Sequence, residues 1–361
     1  MYAVVIASLA LAQPVAVEEP QPSSTIHFSA EYMAWWLRRA YVPPVLTTSS
    51  TASQGVLGQP DTRPLFGDER LETRHNDRFF GTRFALEWMH ASRCVGLEGR
   101  AFFLERDSTY HTIDHQADPL MALSFVDATT GREASVIVAG QDPKRGLLWG
   151  GFVGYSRIEL FGQEANAIIP LAEEEGWKLD LLAGARFLQM RDRYHHTATS
   201  WELPAKENLS GIIDNYRLHN AFYGAQLGLR SECQWDRFFL QTRATVALGA
   251  DAQLSRTWGE RIYHTPRERT VTPYGLFVQP GNTGTVRNCN FDAVGEVAVN
   301  AGYQVCKHLR GYVGYTFLYW ADPARAASQV DRVVNQPDPR ISFAGDPFWA
   351  QGVNVGLELL W

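Results

Sequence analysis

The segment Val353-Asn354-Val355-Gly356-Leu357-Glu358-Leu359-Leu360-Trp361 alternates between apolar and polar side chains. Such alternation gives a strand one apolar and one polar face, as expected between lipid and a wet lumen. A closed barrel has no free edge, so its last strand must pair with its first. We therefore predict a strand that closes a barrel and acts as its assembly signal, with Val353, Val355, Leu357, Leu359 and Trp361 on the apolar face. The alternation alone also fits an edge strand of a soluble β-sandwich.

Nine further segments of the chain show the same alternation. A tilted strand needs about 9–11 residues to cross a bilayer, whereas strands of soluble proteins average about five or six residues. All ten segments meet the longer requirement, which favours a barrel. The predicted strands are 28–39, 77–90, 95–106, 150–161, 177–192, 214–230, 237–256, 291–306, 308–321 and 349–361.

The connections between these strands alternate in length. The long ones are 40–76, 107–149, 193–213, 257–290 and 322–348, and the short ones are 91–94, 231–236 and 307, with an intermediate one at 162–176. Outer-membrane barrels have long loops at one end and short turns at the other. The fold class predicted is all-β, a transmembrane antiparallel up-and-down β-barrel of about ten strands. Twelve strands is the alternative, with the missing pair drawn from 263–279 and the apolar pieces around 120 and 135.

Most tryptophans lie at or near the ends of predicted strands. Indole rings prefer the headgroup level of a bilayer, where they form aromatic girdles. Their placement agrees with a membrane barrel, although core tryptophans capping a large sandwich are an alternative.

Composition and the N-terminal segment indicate an exported protein that does not bind nucleic acid. The net charge is −6, and no run of basic residues is suited to following phosphates along a nucleic acid. The apolar segment 1–12 ends in Ala10-Leu11-Ala12 and resembles a signal peptide, although no Lys or Arg precedes it. We predict a signal peptide at 1–12, a disordered leader at 13–27 and a single barrel domain at 28–361, located in the cell outer membrane.

The four cysteines, Cys94, Cys233, Cys289 and Cys306, are too scattered for a disulfide framework and lack metal-ligand spacing. Cys233 and Cys306 fall near neighbouring predicted turns. A disulfide between them and two free thiols are both compatible with the sequence. No metal site and no cofactor is expected.

Several stretches resemble a bacterial family of outer-membrane β-barrel porins, the seventh to carry that name. The resemblance begins with Glu31-Tyr32-Met33-Ala34-Trp35-Trp36-Leu37 and continues through Gly311-Tyr312-Val313-Gly314-Tyr315-Thr316 and Phe348-Trp349-Ala350-Gln351-Gly352. It covers nearly the whole mature chain in the family's order. It implies an outer-membrane barrel, with the lipid bilayer and the barrel-assembly machinery as partners, and implies little about chemistry.

If the apolar face of each strand meets lipid, its polar face lines the lumen. The lumen-lining residues predicted on this basis are Glu98, Arg100, Arg157, Glu159, Asp180, Arg186, Arg243, Asp292, Glu296 and Glu358. Both signs of charge occur, which favours a narrow, salt-bridged lumen over an open channel with one dominant sign. The function expected is therefore that of a structural barrel or a passive pore for small solutes or ions.

Two other functions remain open from the sequence. The long loops could bind surfaces or partners. An outer-membrane hydrolase is a remote alternative, with Asp107, His111, Asp114 and His115, or Asp192, His195 and His196, as rim candidates. His111 and His115 would share one face of a helix and could bind a metal. Polar residues on solvated loops explain both clusters more simply, so no enzymatic activity is expected.

Overall fold

The computed structural model describes residues 24–70, 78–341, 343 and 345–361. The predicted signal peptide and residues 13–23 of the predicted leader lie outside the described residues. The first strand begins at Thr25, three residues before the predicted first strand at 28–39. No helix in the described ranges has the length and apolarity required to cross a membrane.

The structure of the described residues is built from strands. Their bounds are β1 (Thr25–Leu37), β2 (Tyr41–Val42), β3 (Leu46–Ser49), β4 (Arg63–Phe66), β5 (Glu69–Arg70), β6 (Arg78–Met89), β7 (Gly96–Leu104), β8 (Asp107–Gln116), β9 (Leu120–Asp127), β10 (Arg132–Asp142), β11 (Gly146–Glu174), β12 (Trp177–Glu202), β13 (Leu209–Trp235), β14 (Phe238–His264), β15 (Arg269–Thr272), β16 (Gly284–Cys306), β17 (Leu309–Trp320), β18 (Val333–Val334) and β19 (Phe348–Leu360). One 3-10 turn spans Ala327–Gln329.

Ten of these strands form a closed antiparallel ring. In ring order they are β1, β6, β7, β11, β12, β13, β14, β16, β17 and β19, and β19 pairs with β1. The closing pair runs from His27 opposite Leu360 to Leu37 opposite Ala350. Beyond it, Ile26 and Trp361 exchange backbone hydrogen bonds of 3.0 and 2.9 Å. The predicted ten-stranded barrel is therefore confirmed.

The register of the ring fixes the tilt of the strands. The row of paired residues that starts at Thr25 on β1 passes through every ring strand and returns to β1 at Leu37, twelve positions further on. Ten strands with this stagger correspond to a tilt of roughly 40° and a narrow barrel. The interior is consequently narrow enough for side chains to fill it.

Short connections and both described ends of the ring lie at one end of the barrel, here called the turn end. Turns follow β6, β11, β13 and β16, and those after β11 and β13 are two-residue hairpins. Gly176 (φ 77°) and Asp236 (φ 54°) adopt the left-handed backbone conformation that such hairpins require. The opposite end, here called the loop end, carries the long connections, so the predicted alternation of connections is present except at the short loop-end connection 203–208.

Strands β11 to β14 are 26 to 29 residues long and extend far into segments predicted as connections. The prediction of a long connection at 193–213 was wrong, because β12 continues to Glu202 and β13 begins at Leu209. The intermediate connection at 162–176 is mostly strand as well. Beyond the apolar band the outward positions turn polar, so a search for lipid-facing alternation ends the strands too early.

The loop-end connections pack inside the upper barrel. β9 pairs with β10, β3 and β18, and β3 pairs with β4, which forms a small inner sheet. Its apolar residues, among them Leu46, Met121 and Val138, pack with Phe152 and Tyr216 of the barrel wall in one buried cluster. The segments near 120 and 135, considered for a twelve-stranded ring, therefore belong to this cap.

Two tryptophans depart from the girdle prediction. Trp35 and Trp320 are fully buried inside the barrel. Their indole N–H groups donate to Asn354 Oδ1 and Asp292 Oδ2, each at 2.7 Å.

Cys94, Cys233, Cys289 and Cys306 are all free thiols, so the disulfide between Cys233 and Cys306 is not formed.

Candidate functional site

The interior of the barrel is the candidate functional site. Alternating burial along each ring strand separates inward from outward side chains; on β12, for example, Arg186 and Leu188 are buried, whereas Ala185 is exposed. The inward residues form successive layers between the turn end and the loop end.

A layer of four arginines and four glutamates crosses the lower barrel. The Arg/Glu layer consists of Glu31, Arg83, Glu98, Arg100, Glu164, Arg186, Arg243 and Glu296. Its formal charge is balanced, so ion pairs can compensate part of the desolvation cost of burying it.

Ion pairs connect the members of this layer across strands. Arg243 binds Glu98 at 2.7 Å and Glu164 at 2.9 Å. Arg186 contacts Glu164 at 3.6 Å and also pairs with Glu296.

Arg83 lies 3.6 Å from Glu31 and 3.4 Å from Glu296, so each of these carboxylates has an arginine partner. Arg100 interacts electrostatically with Glu164 and Glu98. Its Nη1 has no hydrogen-bond partner among the described residues.

Amide and hydroxyl groups extend the layer. Gln226 donates to Glu164 and to Asn166, each at 2.9 Å, and Asn166 donates to Glu98 at 2.9 Å. Tyr312 donates to Glu31 at 3.1 Å. These bonds satisfy further acceptors of the buried carboxylates and fix the geometry of the layer.

A solvent-accessible vestibule lies below the Arg/Glu layer at the turn end. Arg230 bridges Glu87 at 2.7 Å and Asp180 at 2.9 Å, and Arg310 lies 3.1 Å from Glu232 and 3.7 Å from Glu358. These residues line a cavity of about 160 Å³. A second cavity of about 40 Å³ leads towards Glu98 and Arg243.

An apolar layer separates the Arg/Glu layer from the cap. Every one of the ten ring strands contributes to it, so it spans the barrel interior. Its members are Met33, Trp35, Leu37, Phe79, Phe102, Leu104, Ile158, Leu160, Leu188, Met190, Phe222, Ala247, Val294, Leu318, Trp320, Phe348 and Ala350, all at most 7% exposed. Close packing of this kind leaves few voids as large as a water molecule.

Polar groups on the upper wall hold the cap in place. Asp192 accepts a hydrogen bond of 2.8 Å from Arg325 Nε and another of 3.2 Å from the Ala326 backbone N–H. Asn220 exchanges hydrogen bonds of 2.8 and 3.0 Å with the backbone of Ala324. The connection between β17 and β18 is thereby fixed to β12 and β13.

Asp214 holds a second loop. Its carboxylate accepts the backbone N–H groups of Leu276, Phe277 and Val278 at 2.8–3.3 Å. It also lies 3.2 Å from His196 Nε2, and both side chains are fully buried.

Two buried tyrosines, Tyr194 and Tyr216, line the same region. Their rings stack on each other with centroids 6.0 Å apart.

Most of the predicted lumen residues face inward. Glu98, Arg100, Arg186, Arg243 and Glu296 form the Arg/Glu layer. Asp180 and Glu358 line the vestibule. Asp292 lies higher, where it accepts the indole N–H of Trp320.

Arg157 and Glu159 are exceptions, because both face outward. Their neighbours Ser156 and Ile158 are the buried residues of this part of β11, and Arg157 pairs with Glu159 at 2.6 Å on the outer wall. The prediction was wrong here because, above the apolar band, the polar residues face outward and the apolar residues pack against the cap.

Sequence reasoning missed Glu164 because it placed this residue in a connection. The signal was present: the buried positions Gly162, Glu164, Asn166 and Ile168 continue the alternation of β11. Glu31 was not assigned to the lumen. It is the single acidic residue of β1, and one acidic residue among aromatic and apolar neighbours gives no pattern.

The predicted rim clusters are dispersed. His111 stacks on Phe66 at 4.9 Å, whereas His115 packs on Trp149 at 4.8 Å and hydrogen-bonds Thr199 at 2.7 Å. These residues lie on a strand with a register shift, not on a helix. In the described part of the chain, no three His, Cys, Asp or Glu side chains are placed to bind a metal.

The second cluster is divided in the same way. Asp192 pairs with Arg325 and His196 with Asp214, inside the wall. His195 stacks against Tyr155 at 4.7 Å on the outer face.

The residues of the predicted closing strand face outward. Val353, Val355, Leu357, Leu359 and Trp361 are 40%, 55%, 58%, 36% and 62% exposed. They belong to a band of exposed apolar side chains that continues on the other ring strands, for example Leu227 on β13 and Val246 on β14. A band of this kind is the lipid-facing surface of a membrane barrel.

Several solved structures resemble the chain at low sequence identity. The outer membrane protease OmpT from Escherichia coli shares 12% identity, with 94% of this chain and 97% of that chain covered and a TM-score of 0.40. A Pseudomonas aeruginosa FadL homologue shares 8% identity over 94% and 90% of the two chains, with a TM-score of 0.23. The P. putida toluene transporter TodX shares 7% identity over 93% and 89%, with a TM-score of 0.22. No function is transferred from similarities of this extent.

No curated protein matches the chain. A family model described as "Putative beta barrel porin-7 (BBP7)" matches residues 27–361, which covers the closed ring except for the first two residues of β1. The ring, its apolar band and this match agree with the resemblance in the sequence. The chain belongs to this family of bacterial outer-membrane β-barrels.

Proposed function

We propose that the protein is a structural outer-membrane barrel whose lumen is closed to solutes and ions. The observation that carries the proposal is the apolar layer, to which all ten ring strands contribute and which lies directly above the neutral Arg/Glu layer. An ion crossing the lumen would have to enter a dry, close-packed region, which is energetically costly.

The proposed orientation places the turn end in the periplasm and the loop end outside. Short turns and long loops are distributed in this way in outer-membrane barrels. β19 would then be the strand through which the barrel-assembly machinery recognises the chain, because its backbone edge stays unpaired until it closes the ring with β1.

The proposed function involves no chemistry. The acids and histidines of the upper wall have structural partners, as Asp192 has in Arg325 and Asp214 has in the backbone of 276–278. A hydrolase would need a carboxylate or imidazole within reach of a substrate, whereas His196 and Asp214 are fully buried.

Single-channel recording tests the closed lumen. The refolded protein, shown to be folded by its gel shift, is inserted into a planar bilayer, with a large-lumen porin as the positive control. We expect no discrete conductance steps. Reproducible steps from protein with an intact gel shift would refute the closed lumen and indicate a passive pore instead.

A further inference from the structure

A row of four arginines crosses the outer wall of the barrel above the apolar band. Arg157 on β11 lies opposite Arg193 on β12, Arg193 lies opposite Arg217 on β13, and Arg217 lies opposite Arg256 on β14. All four belong to the outward face, since their strand neighbours are the buried ones. This set of four residues is called the arginine row.

Directly opposed like charges destabilise a sheet, because their Cβ atoms lie only about 4.5–5.5 Å apart. Among the side chains that the structure describes, the row is ion-paired to one carboxylate, Glu159 at its lower end, which is shared by Arg157 at 2.6 Å, Arg106 at 3.1 Å and Arg191 at 3.8 Å. Glu159 alone cannot balance this much positive charge.

The upper part of the row is held by uncharged groups. The Arg217 guanidinium lies 4.5 Å from the centre of the Trp258 ring, and Arg256 Nε donates to Thr285 Oγ1 at 3.2 Å. These contacts leave the positive charge of the row largely uncompensated, so the row is suited to bind an external anion.

The position of the row corresponds to the headgroup level of a bilayer. On β12 the outward positions change from Phe187 and Gln189 to Arg191 and Arg193, and on β14 they change from Leu254 to Arg256. Arginines that directly follow a lipid-facing apolar band lie where lipid phosphates are concentrated.

An apolar groove lies below the row, on β11 to β14 and on the adjoining strands β7, β6 and β1. It has a volume of about 860 Å³ and is bordered by Phe84, Leu86, Phe187, Tyr223 and Leu248. Its floor is made of small residues, including Ala165, Ala185 and Ala225. Acyl chains suit such a groove, because its lining is apolar and it faces the hydrocarbon region of the bilayer.

We propose that the arginine row and the groove form a binding site for a membrane lipid whose headgroup carries two or more phosphates. Neighbouring strands are about 4.8 Å apart, so the row extends over roughly 14 Å. A single phosphate is too small to contact all four arginines over this distance. Each guanidinium can bind phosphate oxygens in a bidentate manner. The acyl chains lie in the groove.

The test uses the full-length refolded protein and cardiolipin, which carries two phosphates, as the probe. Native mass spectrometry and thermal unfolding are recorded in a neutral detergent with cardiolipin, phosphatidylcholine or inorganic phosphate at equal phosphate concentration. The variant is Arg193→Gln/Arg217→Gln. The control is Arg267→Gln/Arg269→Gln, which removes the same charge from two exposed residues of the hairpin β14–β15.

We expect the wild type and the control to retain cardiolipin at least about tenfold more tightly than the variant does, with the difference reduced by salt. Without lipid, the variant should be at least as heat-stable as the wild type, because repulsion has been removed. Equal retention by variant and wild type would refute the site. An equal effect of inorganic phosphate would refute a membrane lipid as its ligand. If the variant fails to fold, loss of wild-type retention at high salt supports the site and salt-insensitive retention refutes it.

Discussion

The Arg243 guanidinium donates two hydrogen bonds to the Glu98 carboxylate, from Nη1 to Oε2 and from Nη2 to Oε1, each at 2.7 Å. Glu98 lies on β7 and Arg243 on β14, with β11, β12 and β13 between them in the ring. The pair therefore spans the lumen instead of joining neighbouring strands. A contact of this kind fixes the distance between the two walls that carry β7 and β14. The two side chains also occupy the lumen between these walls.

Removing one member of the Arg/Glu layer should be costly. Glu296→Gln leaves Arg83 and Arg186 without a full countercharge in a buried position. We expect a loss of about 3–5 kcal/mol in the free energy of unfolding, measured by urea titration of the refolded barrel in lipid vesicles.

A matched control uses an exposed pair. Glu173 lies 3.4 Å from Arg93 at the turn end, and both side chains are largely exposed. Glu173→Gln should change the unfolding free energy by at most about 1 kcal/mol. Equal effects of the two substitutions would contradict a tightly coupled buried layer.

The loop 276–278 should be released by Asp214→Asn. The amide is uncharged and cannot accept three backbone N–H groups as well as the carboxylate does, and each lost buried hydrogen bond costs about 1–3 kcal/mol. We expect faster proteolytic cleavage between β15 and β16, while the barrel keeps its gel shift. Asp338→Asn, at an exposed pair with Arg340, should leave the cleavage rate unchanged; cleavage accelerated equally by both changes would argue against this role of Asp214.

Loop 50–61 should stay closed in acid. Hydrogen bonds from Ser50 and Ser53 lower the pKa of Asp61 from 3.8 to about 2. Because the folded pKa is lowered, the contribution of this carboxylate is present above the ordinary pKa and is lost as the pH falls towards 2. Amide hydrogen exchange at Ser50, whose N–H donates to Asp61 at 2.7 Å, should rise relative to intrinsic exchange only in that range. In Asp61→Asn this pH dependence should be absent, and a wild-type change centred near pH 4 would contradict the lowered pKa.

A charge on the lipid-facing side of β19 should destabilise the barrel. Val355 lies in the middle of the exposed apolar face of this strand, so Val355→Arg should cost about 2–4 kcal/mol of unfolding free energy in vesicles. Tyr263→Arg is the control, because Tyr263 is exposed on β14 beyond the apolar band. A similar loss for both variants would show that the cost does not come from the membrane.

The closed ring could be predicted from the sequence because lipid imposes a strict alternation on every strand. Val353 to Trp361 shows it on β19, and Leu227, Leu229 and Val246 show it on neighbouring strands. The short turns were also predictable, since only a few residues separate the apolar runs.

The upper barrel could not be predicted from the same rule. There the outward face meets water and the inward face meets the cap, so Arg157 and Glu159 were assigned to the wrong side. The arginine row escaped detection for a related reason: its members are 24 to 39 positions apart in sequence and become neighbours only through the register of four strands. The loop partners of Asp214 and Asp192 lie 62 or more positions away, in segments whose path the alternation does not specify.

The vestibule at the turn end is a blind inlet. Water and small ions can reach Arg230 and Arg310 from that side, while the apolar layer and the cap lie between these residues and the opposite compartment. With the lumen closed as proposed, the charged interior equilibrates with the solution on one side of the membrane alone. A change of pH or ionic strength on the loop side would leave the ion pairs of the lower barrel untouched.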